Sequence, residues 1–165
     1  MLARSTRSRA PSLSHVHRAS RADGTQNLFE WDVKIPARKN SVFYPALLPA
    51  TITFTADYPD KPPKVKFLPI AGEPLFHPNV YTDGGVCLSI INPEGSRHAY
   101  GSGGTWKPTM NLKTVLNALQ LFLDEATSLA AGRDEAYRLW KAGTHKARCQ
   151  AQVAKLPEEC KYEAE

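Results

Sequence analysis

An α+β fold is predicted for this 165-residue chain, and three observations carry the prediction. Short segments before residue 68 alternate apolar and polar side chains with a period of two. Residues 112–125 carry an apolar stripe at helical spacing. Between these parts runs a long segment punctuated by proline and glycine. Strands, then a loop, then helices point to segregated α+β layers rather than repeating βαβ units. The length suits one compact domain, and 42% hydrophobic residues suffice to fill a core.

Residues 1–22 form a basic leader with Arg4, Arg7, Arg9, Arg18 and Arg21 and no Asp or Glu. It shows no clean 3.6-residue stripe, so it reads as disordered or as a degenerate first helix. Its Arg/Ser-rich composition is shared with mitochondrial transit peptides, but the segment lacks their amphipathic pattern. Asp23-Gly24-Thr25 signals a turn. Phe29, Trp31, Val33 and Ile35 then alternate with Glu30, Asp32 and Lys34, which predicts a strand over 28–36 with one buried face. A second alternation around Ile52 and Phe54 predicts a strand over 50–55. After the proline-fixed loop from Tyr58-Pro59 to Pro62-Pro63, residues 64–67 form a short strand, with Val65 and Phe67 inward and Lys64 and Lys66 outward. Short connections make these three strands an antiparallel meander.

Residues 68–110 are read as largely irregular, with five prolines and seven glycines. A long loop inside a compact domain is usually functional, so the chemistry is placed here. Helical spacing begins at Leu112, with Asn111 as its N-cap and Met110 positioned to staple onto Val115. A last helix is predicted over 134–156, weakened by Gly143 and ended by Pro157. The domain reading is a leader over 1–22, a core over 23–157 and a short tail over 158–165.

Three cysteines, Cys87, Cys149 and Cys160, are an odd and widely spaced set, which is no disulfide framework. No Cys/His cluster has zinc-site spacing, so no metal is expected and each cysteine is treated as a free thiol. The net charge of +5 resides in the leader; the rest of the chain balances 16 basic against 16 acidic residues. A neutral body argues against a dedicated nucleic-acid domain. No apolar run approaches the length of about 20 residues that spans a bilayer.

The informative string is His77-Pro78-Asn79-Val80-Tyr81-Thr82-Asp83-Gly84-Gly85-Val86-Cys87-Leu88-Ser89-Ile90, followed by Trp106-Lys107-Pro108. A cysteine near a glycine pair is by itself more often a small buried hydrophobe than a nucleophile. The whole string, with Tyr58-Pro59, Pro62-Pro63 and Phe67 upstream, resembles ubiquitin-conjugating enzymes. Asp23-Gly24-Thr25, Asn27-Leu28, Trp31, Ile35-Pro36 and Glu135-Ala136-Tyr137 make it most similar to the SUMO-conjugating branch, over about residues 22–155.

The resemblance implies the ubiquitin-conjugating-enzyme fold, an antiparallel four-stranded meander with flanking helices and a long active-site loop. It implies that Cys87 accepts SUMO from a heterodimeric activating enzyme as a thioester and delivers it to substrate lysines, with ligases assisting. A thiolate is a strong nucleophile, and its acyl product stays reactive toward amines. Asn79 is implied as the donor to the developing oxyanion or as the holder of the loop; otherwise it is a turn residue. Tyr81 is implied to flank the attacking amine and desolvate it, against plain loop packing. Lys64 and Lys66 match a pair that reads an acidic residue near the target lysine, although exposed strand lysines are commonplace. Asp83 and Gly85 join Tyr81 in the substrate-binding set. His77 is read as structural. No cofactor is implied, since ATP is consumed by the activating enzyme, and the analogy places the protein in nucleus and cytoplasm.

This sequence departs from the family pattern in three places. Ala130 stands where a carboxylate should orient the lysine, with Asp124 and Glu125 as the nearby substitutes. Residues 92–105 are longer than in the SUMO branch and read as a flexible flap. The first family helix is hard to find in the leader. The alternatives are therefore a conjugating enzyme for ubiquitin or another modifier, and a catalytically impaired variant acting as a binding scaffold.

Overall fold

The computed structural model describes residues 16–20, 24–92, 104–126 and 133–162, with backbone alone at 16–20. Four antiparallel strands form one sheet in sequence order: β1 (Val16–Ser20), β2 (Gln26–Pro36), β3 (Leu47–Thr53) and β4 (Lys64–Phe67). Helices α1 (Leu112–Phe122), α2 (Asp134–Lys141) and α3 (Lys146–Ala154) follow, with 3-10 turns at Ser89–Ile91 and Glu158–Cys160. The arrangement is the α+β meander expected.

β1 lies inside the segment read as a leader. It pairs with β2 through Val16↔Val33 and Arg18↔Trp31 and shifts register before Ser20↔Gln26. Val-His-Arg-Ala-Ser has almost no alternation to announce it; the strand exists because the outer edge of β2 offers unpaired backbone groups. β2 pairs with β3 from Glu30↔Thr53 to Pro36↔Leu47. β3 thus starts three residues earlier than expected, running through Pro49 opposite Lys34. The missing donor of Pro49 costs β4 nothing, because the β3–β4 ladder runs from Ala50↔Phe67 to Thr53↔Lys64 and Pro49 enters only as an acceptor, from the Leu68 N–H at 2.9 Å.

Only half of the predicted inner face of β2 is buried. Val33 and Ile35 lie in the core, Trp31 is half-buried, and Phe29 is 55% exposed. Trp31 packs edge-on to Phe54 at 5.4 Å instead. β4 follows its alternation residue by residue, Val65 and Phe67 inward and Lys64 and Lys66 outward.

α1 buries Val115, Leu116, Leu119 and Phe122, and the Asn111 side chain caps it by accepting the Thr114 N–H at 3.0 Å. The single last helix expected over 134–156 is two helices. Gly143 adopts φ +69 and its N–H reaches the Trp140 carbonyl, while the Thr144 N–H reaches the Leu139 carbonyl. This pair of bonds is a Schellman ending, which closes α2 and lets α3 start in a new direction. The segment read as a tail packs onto the body: Cys160 is buried, Lys161 bridges to Ala46, and the Tyr162 hydroxyl donates to the Ala37 carbonyl. None of the helices among the described residues is long and apolar enough to cross a membrane.

Candidate active site

The string around Cys87 folds as a tight hairpin. Val80 bridges Val86, the Tyr81 N–H donates to the Gly85 carbonyl at 2.8 Å, and the Cys87 N–H donates to the Asn79 carbonyl at 2.8 Å. Asn79 and Cys87 are therefore brought to facing positions on its two arms. The hairpin is anchored to the sheet where the Phe67 N–H meets the Gly84 carbonyl at 2.9 Å and Lys66 bridges Gly85. Gly84 has φ +85, and a Cβ there would stand 2.3 Å from the Phe67 carbonyl oxygen, so only glycine permits this approach.

Cys87 is half-buried, whereas Cys149 and Cys160 are buried. Burial pushes the Cys149 thiol up to about 12, which leaves it without thiolate at neutral pH. Tyr81 places its hydroxyl against the Cys87 sulfur. Burial first, then the hydrogen bond to that thiol and the charges of Cys87 and Asp83, raise its pKa above the ordinary phenol value. Tyr81 thus stays a neutral donor beside the sulfur. Lys66 and Asp83 form an ion pair at 2.6 Å. These residues line a groove of about 560 Å³ with Asp57, Lys61, Lys64 and Val86. The structure therefore gathers Tyr81, Lys64, Lys66, Asp83 and Gly85 on one groove beside the Cys87 hairpin.

Asn79 is fully buried, so its side chain acts within the loop in the resting protein. His77 lies beneath it, also fully buried, between Phe122 at 4.4 Å and Trp140 at 4.7 Å. Its Nδ1 accepts the Asn79 N–H at 3.1 Å, so the ring carries its proton on Nε2 and serves as a structural acceptor. Burial drives the His77 pKa down to about 3, with the Arg133 and His145 charges adding to the effect. The unfolded ring takes up a proton below about pH 6.5 and the folded ring does not, so stability falls as pH drops from 6.5 toward 3. The slope due to this residue is at most about 1.4 kcal/mol per pH unit. Urea midpoints of the wild type and His77→Asn, followed from pH 7 to pH 4, should converge because the wild type loses stability more steeply; parallel curves would refute this.

Two residues that sequence reasoning missed hold the same loop. Arg133, half-buried at the start of α2, donates to the Leu75 carbonyl at 2.5 Å and the His77 carbonyl at 3.3 Å. Buried Gln152 on α3 accepts the Phe76 N–H at 2.7 Å and donates to the Pro74 carbonyl at 2.9 Å. Arg133 had no local signal at all; Gln152 was a polar residue inside a helical pattern, whose burial depends on which turn of α3 meets the loop. Of the substitutes for the missing carboxylate, Asp124 is engaged by Arg38 at 2.6 Å. Ala130 and residues 93–103 of the expected flap lie outside the described residues. Among the described residues no group of three or more His, Cys, Asp or Glu side chains could hold a metal ion.

Comparison with known proteins agrees with this arrangement. The family model for ubiquitin-conjugating enzyme matches residues 3–155. The chain is 38% identical over 119 residues to SUMO-conjugating enzyme UBC9 of Caenorhabditis elegans, covering 72% of this chain and 64% of that protein. It is 40% identical over 106 residues to Sumo-conjugating enzyme ubc9 of Dictyostelium discoideum, covering 64% and 58%. It is 37% identical over 118 residues to SUMO-conjugating enzyme SCE1 of Arabidopsis thaliana, covering 72% and 66%. The matched region spans less than two thirds of each of these relatives.

Proposed function

Because the chain belongs to the ubiquitin-conjugating enzyme family across residues 3–155, we propose that it carries SUMO as a thioester on Cys87 and transfers it to lysines of substrate proteins. The supporting observation is the half-exposed Cys87 on a hairpin bonded to Asn79, in a chain similar to three SUMO-conjugating enzymes.

In the first step the Cys87 sulfur attacks the carbonyl of the thioester held by a heterodimeric activating enzyme. The new C–S bond replaces the old one, and the donor thiol leaves with the proton. The activating enzyme has already consumed the ATP, so no cofactor acts here. In the second step a lysine amine, desolvated against Tyr81, attacks the same carbonyl. Asn79 holds the loop and turns its amide toward the oxyanion as charge develops. The Cys87 thiolate leaves, and the amine proton is lost to restore the thiol. Lys64, Lys66, Asp83 and Gly85 line the groove that receives the residues around the lysine. Ligases assist this transfer, and the reaction takes place in nucleus and cytoplasm. Residues 23–157 contain the groove and hairpin that carry the chemistry, and the basic leader meets acidic surfaces on partners.

Incubation with activating enzyme, ATP and either SUMO or ubiquitin tests the reading. A SUMO adduct is expected on a non-reducing gel that disappears with a thiol reductant, while Cys87→Ser gives only a reductant-resistant ester or nothing. A ubiquitin adduct instead would reassign the modifier, and no adduct with either would leave a binding scaffold.

A further inference from the structure

The groove beside Cys87 contains its own acid. Asp83 Oδ2 takes the Lys66 ammonium at 2.6 Å, and Asp83 Oδ1 accepts the Gly85 N–H at 2.9 Å. Lys66 in turn is paired through its backbone with Gly85. Both ends of the ion pair are therefore fixed by one backbone contact. An ordinary surface pair loses most of its value to the entropy of holding two long side chains together; here the carboxylate is already oriented by the loop. Glycine at 85 allows this, since a Cβ would stand 3.0 Å from Asp83 Oδ1. The Lys66 hydrogen bond, followed by that from Gly85, also holds the Asp83 carboxyl below its ordinary pKa, so it stays charged.

A second pair in the groove, Lys61 with Asp57 at 2.8 Å, neutralises another lysine. Of the three lysines lining the groove, Lys64 alone makes no ion pair among the described residues.

We propose that Asp83 is a specificity-determining residue: it occupies Lys66 as an internal stand-in for a substrate carboxylate, so the groove gives little preference to target lysines with an acidic rather than a neutral neighbour. An acidic neighbour gains Lys66 only by displacing Asp83, and it then lies beside that displaced charge. Discrimination thus comes from a repulsive element as well as an attractive one. The inference rests on the proposed function for the identity of the groove as a substrate site.

The test measures binding to the uncharged full-length protein, so it does not depend on thioester formation; failure to charge Cys87 would sink the conjugation reading and leave this measurement intact. Two lysine peptides differing only by Glu or Gln beside the lysine are titrated by NMR at low salt. The wild type should prefer Glu by no more than about 2-fold. Asp83→Asn keeps the acceptor for the Gly85 N–H and removes the charge, and should raise the preference to about tenfold. Lys66→Met should change the wild-type ratio little and abolish the gain in the Asp83→Asn background. The proposal is overturned by a strong preference for Glu in the wild type, by an unchanged ratio in Asp83→Asn, or by a gain that survives Lys66→Met.

Discussion

Asn79→Ala will slow discharge of charged Cys87 to a lysine acceptor by about 100-fold or more, the usual cost of losing a fixed donor to a developing oxyanion. The site adds a second reason for a large effect. Asn79 is fully buried and its backbone takes the Cys87 N–H and gives its own N–H to His77. Truncation keeps those backbone bonds but opens a hole beneath the hairpin, which loosens the arm that faces Cys87. Single-turnover discharge from pre-formed thioester is the measurement, so that slow charging does not enter. Asn79→Asp preserves the shape but removes the amide donor and should lose discharge to a similar degree. Discharge within about 3-fold of wild type in both variants would exclude Asn79 from the step.

Gly84→Ala will destabilise the fold by about 3 kcal/mol, lowering the melting temperature by roughly 10 °C. Two costs combine at this position. A non-glycine residue is strained at φ +85, and its Cβ would meet the Phe67 carbonyl oxygen at 2.3 Å. That oxygen belongs to backbone, so it cannot swing aside as a side chain would. Gly143→Ala supplies the contrast. It has a comparable φ of +69 but nothing within 4 Å of the added carbon, so it should cost only about 1 kcal/mol. Thermal denaturation of the two variants checks the difference; equal losses would mean that the close approach at Phe67 carries no energy. Where the Gly84 loop shifts to relieve the overlap, Asp83 and Tyr81 move with it, so lysine discharge should fall as well.

The sequence alone determined those features whose cause is local. The alternation in β4, the stripe of α1 and the Asn111 cap each follow from residues within a turn or two, and side-chain period decides which face is buried. The place of the site was also legible, because the ordered string from His77 to Ile90 marks the loop around Cys87; that this loop closes as a hairpin through Val80 and Val86 was not. The tie of His77 into its own loop is legible for the same reason: its partner, the Asn79 N–H, is two residues away.

The remaining features came from packing, because their partners are distant in the chain. β1 is a strand by virtue of the edge of β2. Phe29 alternates perfectly yet stays exposed, since alternation names a face and not whether anything covers it. Gly143 was recognised as a weak point, but whether a helix tolerates a glycine or ends at it depends on where the next segment packs. Arg133 and Gln152 reach the active-site loop from 56 and 76 residues away. The Lys66–Asp83 pair, 17 residues apart in sequence, turned two groove residues that sequence reading assigned to a substrate into partners of each other. Local periodicity records the direction of a side chain; the identity of its neighbour is set only when the chain closes on itself.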